Sequence, residues 1–272
     1  MQIRGEKNLI SLVQLGAVDY ATGLKLQQRL VALRKEEKIG DVLLLLEHSP
    51  VITLGRNAKS ANVVASSEML AQRGVEMFEC DRGGDVTFHG PGQIVGYPIF
   101  DLRGYPLATS ISLSSRAEEN DSLANRSLKS RDLVFPVHKH IGVVDFVRRL
   151  EEVLIRTCAD FAIPTKRIPG LTGVWTEIES KLAAIGIHVS RFVTSHGFAL
   201  NVNTDLSFFR LIVPCGIASR PVTSMHQELG LPLDLNAVAQ SISRNFGVVF
   251  QSQILWLETP DSLIGDTRAI PQ

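Results

Sequence analysis

The sequence predicts an α+β protein. The run Val42-Leu43-Leu44-Leu45-Leu46 is continuously apolar and too short for most helices, so it suits a central strand covered on both faces. Residues 19–38 and 143–161 instead space their apolar side chains at helical intervals among charged ones, as amphipathic helices do. Between these helices lies residues 82–93, with four glycines and a proline in twelve residues. Glycine costs about 1 kcal/mol and proline about 3 kcal/mol in a helix interior, so this stretch is a shaped loop beside a short strand. A hydrophobic content of 44% over 272 residues is ample for a packed core, and one domain spanning 1–272 is expected.

In chain order, the helix over 19–38 is expected to stop at Gly40 and to lead into a strand over 42–48. A second strand over 50–54 ends at Gly55, with Arg56 just beyond it, and 57–65 is a polar loop. A helix over 67–74 takes Ser66 or Ser67 as N-cap and Gly74 as its stop. Residues 75–80 form the strand that enters the glycine-rich loop, and 94–100 form the strand that leaves it. The serine-rich, weakly apolar composition that follows is read as a disordered insertion over about 105–133. The helix over 143–161 ends at Ile163-Pro164. Apolar runs at 171–176 and 181–189 form a hairpin, and 192–203 is a strand whose internal glycine suggests a bulge or a close backbone approach. A short helical segment over 206–212, a tight loop at 213–217 and a helix over 235–246 complete the pattern.

Lys+Arg and Asp+Glu both number 28, so the chain carries no overall positive field of the kind that drives non-specific nucleic-acid binding. The first residues hold charges of both signs without a signal-like apolar core, and no later run reaches membrane-spanning length; a cytoplasmic protein without membrane association is expected. Cys80, Cys158 and Cys215 are odd in number, distant and free of Cys-x-x-Cys spacing, which disfavours a disulfide framework and a structural metal.

The loop over 82–93 has the composition of a small-molecule pocket wall. Its glycines let backbone approach a ligand, and Arg82, Asp85, Thr87, His89 and Gln93 add polar groups between apolar strands. Cys215, set between Pro214 and Gly216, is a thiol presented on a turn; an ordinary buried cysteine is the competing reading, and Cys80 and Cys158 fit that reading well. A nucleophilic thiol needs a neighbour that takes its proton. Lys181, opening an otherwise apolar strand, would become a usable base if buried, and would be an ordinary strand-end lysine if not. His89 and His196 each precede a glycine, where strand meets pocket.

Four motifs then stand in order: RGGDVTFHGPGQ at 82–93, TGVW at 172–175 followed by KLAAIG at 181–186, TSHGFALNVN at 194–203 and PCGI at 214–217. Together they closely resemble the lipoyl(octanoyl) transferases, the octanoyl-[acyl-carrier-protein]:protein N-octanoyltransferases. The resemblance implies a mixed β-sheet flanked by helices, like the catalytic domains of biotin and lipoate protein ligases. It implies acyl transfer without a cofactor, from octanoyl-acyl carrier protein to a lysine of the lipoyl domains of 2-oxoacid dehydrogenases and of the glycine cleavage H protein, by a monomer. Carried over, Cys215 is the acyl-thioester nucleophile and Lys181 the residue that lowers its pKa. Arg82, Gly83, Gly84, Asp85, Val86, Thr87, Phe88 and His89 form an acyl-binding segment, joined by Ala184, Ile185 and Gly186 and by Gly197, Phe198 and Ala199. The long link over 103–138 departs from the pattern. Two rival readings stand beside it: an ATP-dependent lipoate or biotin ligase, which has no need of a cysteine nucleophile, and a non-catalytic relative that binds acyl groups or lipoyl domains.

Overall fold

The computed structural model describes residues 8–107, 140–214 and 220–263. The apolar run at 42–46 lies in β2 (Asp41–His48). Its side chains alternate between two cores: Val42, Leu44 and Leu46 pack with Leu30 on one side, Leu43 and Leu45 with Phe146, Leu150 and Ile242 on the other. A strand buried on both faces needs no polar alternation, which is why the run is continuous.

Among the described residues, eight strands form the larger sheet. From one edge to the other they are β11 (Gln253–Leu257), β1 (Leu9–Val18), β2, β6 (Gln93–Ile99), β10 (Val193–Asn201), β9 (Lys181–Ser190), β8 (Leu171–Thr176) and β7 (Thr165–Ile168). β1 is parallel to both β11 and β2, and the remaining pairs are antiparallel, so the sheet is mixed. α1 (Tyr20–Lys35) contributes Leu30 to one face. α3 (Val143–Asp160) and α5 (Leu235–Val249) cover the other. On α3 the residues Phe146, Leu150, Val153, Leu154 and Cys158 recur at helical spacing and are fully buried. A smaller sheet, in the order β4 (Glu76–Glu79), β3 (Val51–Leu54), β5 (Val86–His89), packs Ile52, Val86 and Phe88 against Phe209 and against Leu70 of α2 (Ser67–Gln72).

The mixed sheet with flanking helices agrees with the expected class, and the differences are local. α1 starts where Asp19 accepts the Thr22 N–H at 2.8 Å, but it ends at Lys35 rather than at Gly40. The left-handed turn usually given to glycine falls instead on Glu37, with φ 57°. Ser66 caps α2 and Gly74, at φ 62°, follows its end. β1, β7, β11 and the short α4 (Met225–Leu229) were not anticipated. From 108 onward the expected insertion lies outside the described residues, as do Cys215, Gly216 and Ile217.

Candidate active site

β5 presents two chemistries because its side chains alternate. Thr87 and His89 line a cavity of about 330 Å³, whereas Val86 and Phe88 turn into the core of the small sheet. The opposite wall belongs to the larger sheet, where β9 supplies Lys181, Ala184, Ile185 and Gly186 and β10 supplies Gly197, Phe198 and Ala199. Of the segment expected to bind the acyl group, Arg82, Gly83, Gly84, Asp85, Thr87 and His89 meet at this cavity. Val86 and Phe88 do not reach it, and they act by holding β5 in place.

The loop is wired from within. The buried Arg82 guanidinium donates to Thr53 O at 2.6 Å, to Thr53 Oγ1 at 2.9 Å and to Gly83 O at 3.1 Å. Asp85 accepts from its neighbour Val86 N at 2.8 Å and from Asn62 Nδ2 at 2.5 Å, tying the loop to residues 59–62. On the other side the Gly83 N–H donates to Ile187 O at 3.0 Å, so 82–84 is sewn to β9. Gly186 has to be glycine at this seam, since a Cβ there would lie 2.6 Å from Gly83 O.

A relay of amides fixes the tautomer of His89. Gln93 Nε2 donates to Phe88 O at 3.2 Å and to Asn201 Oδ1 at 2.8 Å, which leaves Gln93 Oε1 to accept from His89 Nδ1–H at 2.8 Å. His89 Nε2 is then an unprotonated acceptor, with the Thr53 hydroxyl 3.4 Å away. Burial, with His48 and Arg82 adding to it, pushes the His89 pKa down to about 3. The ring is neutral at any ordinary pH. Tyr97, which lines the same cavity, donates to His48 Nε2 at 2.6 Å while His48 Nδ1–H donates to Val18 O at 2.8 Å. His196 stands at the far side of the cavity, its Nε2 2.7 Å from Asp81 Oδ1.

Lys181 is only 8% exposed, which removes the reading of an ordinary surface lysine. Its ammonium sits 5.0 Å from the centre of the Trp175 ring. Its stem passes over Gly173, where a Cβ would come within 2.9 Å of Lys181 Cε. Gly173 holds φ 124°, and its N–H donates to Glu151 Oε1 at 3.1 Å; Glu151, fully buried on α3, is itself held by Arg148 at 2.6 Å and Arg167 at 3.1 Å. Cys215 lies outside the described residues, but both flanks of its loop are described. Pro214 lines a small second cavity together with Lys181, Thr87 and Ala199. On the other flank, Lys181 N donates to Pro221 O at 2.8 Å and Thr223 N to Lys181 O at 3.0 Å. The flanks of PCGI and Lys181 therefore share one corner of the cavity.

The model of the lipoyl protein ligase A/B catalytic domain matches residues 19–119 and 132–247. The chain belongs to this family. An octanoyltransferase of Koribacter versatilis is 56% identical over 97% of this chain and 93% of its own length. One of Acidobacterium capsulatum is 49% identical over 97% of this chain and 99% of its own. The fold is shared with lipoate-protein ligase A bound with ATP (TM-score 0.64, 12% identity, 95% and 92% of the two chains) and with the bi-partite lipoate protein ligase of Thermoplasma acidophilum (TM-score 0.62, 14% identity, 95% and 90%). Identities this low carry the fold alone.

Within this family fold, the cavity has walls to which the sequence reading gave no binding role: Asn57, Val95, Tyr97, Gly170, Leu171 and Thr172. Thr172 opens the TGVW motif and Leu171 and Gly170 precede it, so the motif itself was an available signal. Tyr97 sits in an apolar strand and gave none. Among the described residues, no group of three or more His, Cys, Asp or Glu is placed to hold a metal ion, and no helix is long and apolar enough to cross a membrane.

Proposed function

We propose that the protein is an octanoyltransferase that moves an octanoyl group from acyl carrier protein to a lysine of lipoyl domains, with Cys215 as the covalent carrier. The observation that carries this reading is the buried Lys181 at the corner where the flanks of the Pro214-Cys215-Gly216 loop meet the cavity. The names of the 56% and 49% identical relatives point the same way.

In the first step Lys181 takes the thiol proton and the Cys215 sulfur attacks the thioester carbonyl. The carbon–sulfur bond to the carrier breaks, and the departing thiolate takes the proton back from Lys181. In the second step the acceptor amine attacks the enzyme thioester, an amide forms, and the amine's proton leaves with the restored Cys215 thiol. A thioester intermediate keeps the acyl group activated, so neither ATP nor a cofactor is required. The neutral His89 ring and the apolar parts of the wall suit an uncharged chain. The remaining cysteines are poor rivals: Cys158 is fully buried and its pKa is pushed up to about 12 by burial, and Cys80 donates to Leu54 O at 3.4 Å. We read the protein as a cytoplasmic monomer.

The test is incubation with octanoyl-acyl carrier protein and an apo lipoyl domain, with and without ATP. Transfer should be independent of ATP. Without acceptor, one octanoyl group should remain on Cys215 and be released by hydroxylamine. Cys215→Ser should abolish transfer. Lys181→Ala should lower it by roughly 10²–10⁴, the range of general acid–base groups. Lys181→Arg should not restore it, because guanidinium does not give up its proton. Transfer of free octanoate only with ATP would replace this reading with a ligase, and acyl adducts on Cys80 or Cys158 would overturn the role of Cys215.

A further inference from the structure

Lys181 does not follow the alternation of its own strand. Along β9 the odd positions Ala183, Ile185, Ile187 and Val189 pack into the α3–α5 core, while the even positions Ala184 and Gly186 line the cavity. At the start of the strand the order is inverted, with Leu182 in the core and Lys181 at the cavity. The cause is a bulge against β8. Val174 pairs with Ala183 and Trp175 with Lys181, so Leu182 is an extra residue on β9 that β8 does not match. A bulge re-aims the side chains beside it, and this one turns a lysine out of the core.

Gly173 lies at the foot of that bulge. It is in register with neither neighbouring strand, because the pairing with β7 shifts as well and sets Arg167 alone against residues 172–174. The lysine stem crosses directly over it: a Cβ at Gly173 would lie 2.5 Å from Ala183 O and 2.9 Å from Lys181 Cε. The Gly173 N–H leaves the ladder and donates instead to Glu151 Oε1 on α3 at 3.1 Å. Glu151 Oε2 is bonded by Arg148 at 2.6 Å and by Arg167 at 3.1 Å, and Arg167 is tied in turn to Arg148 O at 3.1 Å and to Glu152 at 2.7 Å. A fully buried carboxylate is costly to keep even when paired, so stability alone is a poor reason for one here. What this carboxylate adds is a fixed place for Gly173. We propose that Glu151 is a positioning residue for Lys181: it pins the kink at Gly173, and with it the bulge that delivers the lysine to the cavity. The inference rests on the reading of Lys181 as the base of octanoyl transfer and adds the group that sets its position.

Glu151→Gln is the direct variant, because one amide oxygen cannot serve both the Gly173 N–H and the two guanidinium groups. Single-turnover acylation of the enzyme by octanoyl-acyl carrier protein, without acceptor, should be followed over donor concentration in wild type, Glu151→Gln, Lys181→Ala and the double variant. Glu151→Gln should lower the maximal rate at least about tenfold and leave the half-saturating donor concentration within about twofold. In Lys181→Ala no lysine is left to position, so there the same change should lower the rate less than about twofold. A merely structural role would slow both backgrounds by the same factor. Losses that multiply in this way overturn the proposal, as does an unchanged rate in Glu151→Gln. If Glu151→Gln does not fold, Arg167→Met, at the partly exposed end of the network, goes through the same cycle, and its loss should likewise vanish in Lys181→Ala. The two readings fail differently. Wild-type acylation by Lys181→Ala overturns the base and its positioning together, whereas slow single variants whose losses multiply overturn the positioning alone.

Discussion

A neutral histidine in the interior has a thermodynamic signature. His89 keeps its proton off until about pH 3 in the folded chain, whereas an unfolded histidine takes one near pH 6.5. Between those values the unfolded state binds the extra proton, so stability is whole above pH 6.5 and declines as pH falls, by about 1.4 kcal/mol per pH unit. His48 and His196, both lowered chiefly by burial, act in the same direction. His89→Asn keeps a donor near Gln93 and removes the titration. Its melting temperature should therefore drop less than that of the wild type between pH 6.5 and pH 5, and parallel slopes would show that His89 is not a buried neutral base. The chemistry-bearing residues were the most legible part of the sequence, because a histidine or lysine among apolar residues stands out. The amide relay from Asn201 through Gln93 was not legible, since its members come from two strands that only folding makes neighbours.

Strand pairing turns these residues into a site, and the tightest seam is the one between the glycine-rich loop and β9. In Gly186→Ala the new methyl would meet Gly83 O at 2.6 Å, against a loop already bonded to Ile187 O. The expected result is a loss of roughly 1–3 kcal/mol of stability and a raised KM for the acyl donor. Gly40→Ala is the control, since nothing lies within 4 Å of its Cβ position. Equal melting temperatures for the two variants would mean that the loop yields freely. The β8–β9 pair, the strand at 193–201 and the three long helices could be read from periodicity. β7 and β11 could not, because no residue of either is fully buried and an edge strand shows little alternation. α4 has five residues, too few to establish a period.

At the scale of the whole molecule, the chain leaves the described fold at residue 107 and rejoins it at residue 140 beside the point of departure. Pro106 and His140 form a bridge, Ile141 N donates to Tyr105 O at 2.9 Å, and Arg149 donates to Pro106 O at 3.0 Å. A short glycine-serine linker can therefore span the gap. Replacing residues 108–139 should leave octanoyl transfer within about twofold, since changing the length of a loop with adjacent ends has a small entropic effect. Insoluble protein or a large loss of rate would show that this segment serves folding or docking. The parallel position of β1 between β2 and β11 has a consequence of timing. β1 can find β2 once residue 48 has been made, but its other neighbour starts at residue 253. At 5–20 residues per second, those two hundred residues occupy the ribosome for about 10–40 s. Throughout that interval Leu9–Val18 presents an open edge capable of pairing with another nascent chain. Chains truncated at residue 250 keep that edge open after release and should aggregate where chains carrying β11 stay dispersed, and equal solubility of the two would mean that the open edge is shielded by other means. Among the described residues, the last strand to be made is thus the one that seals the first.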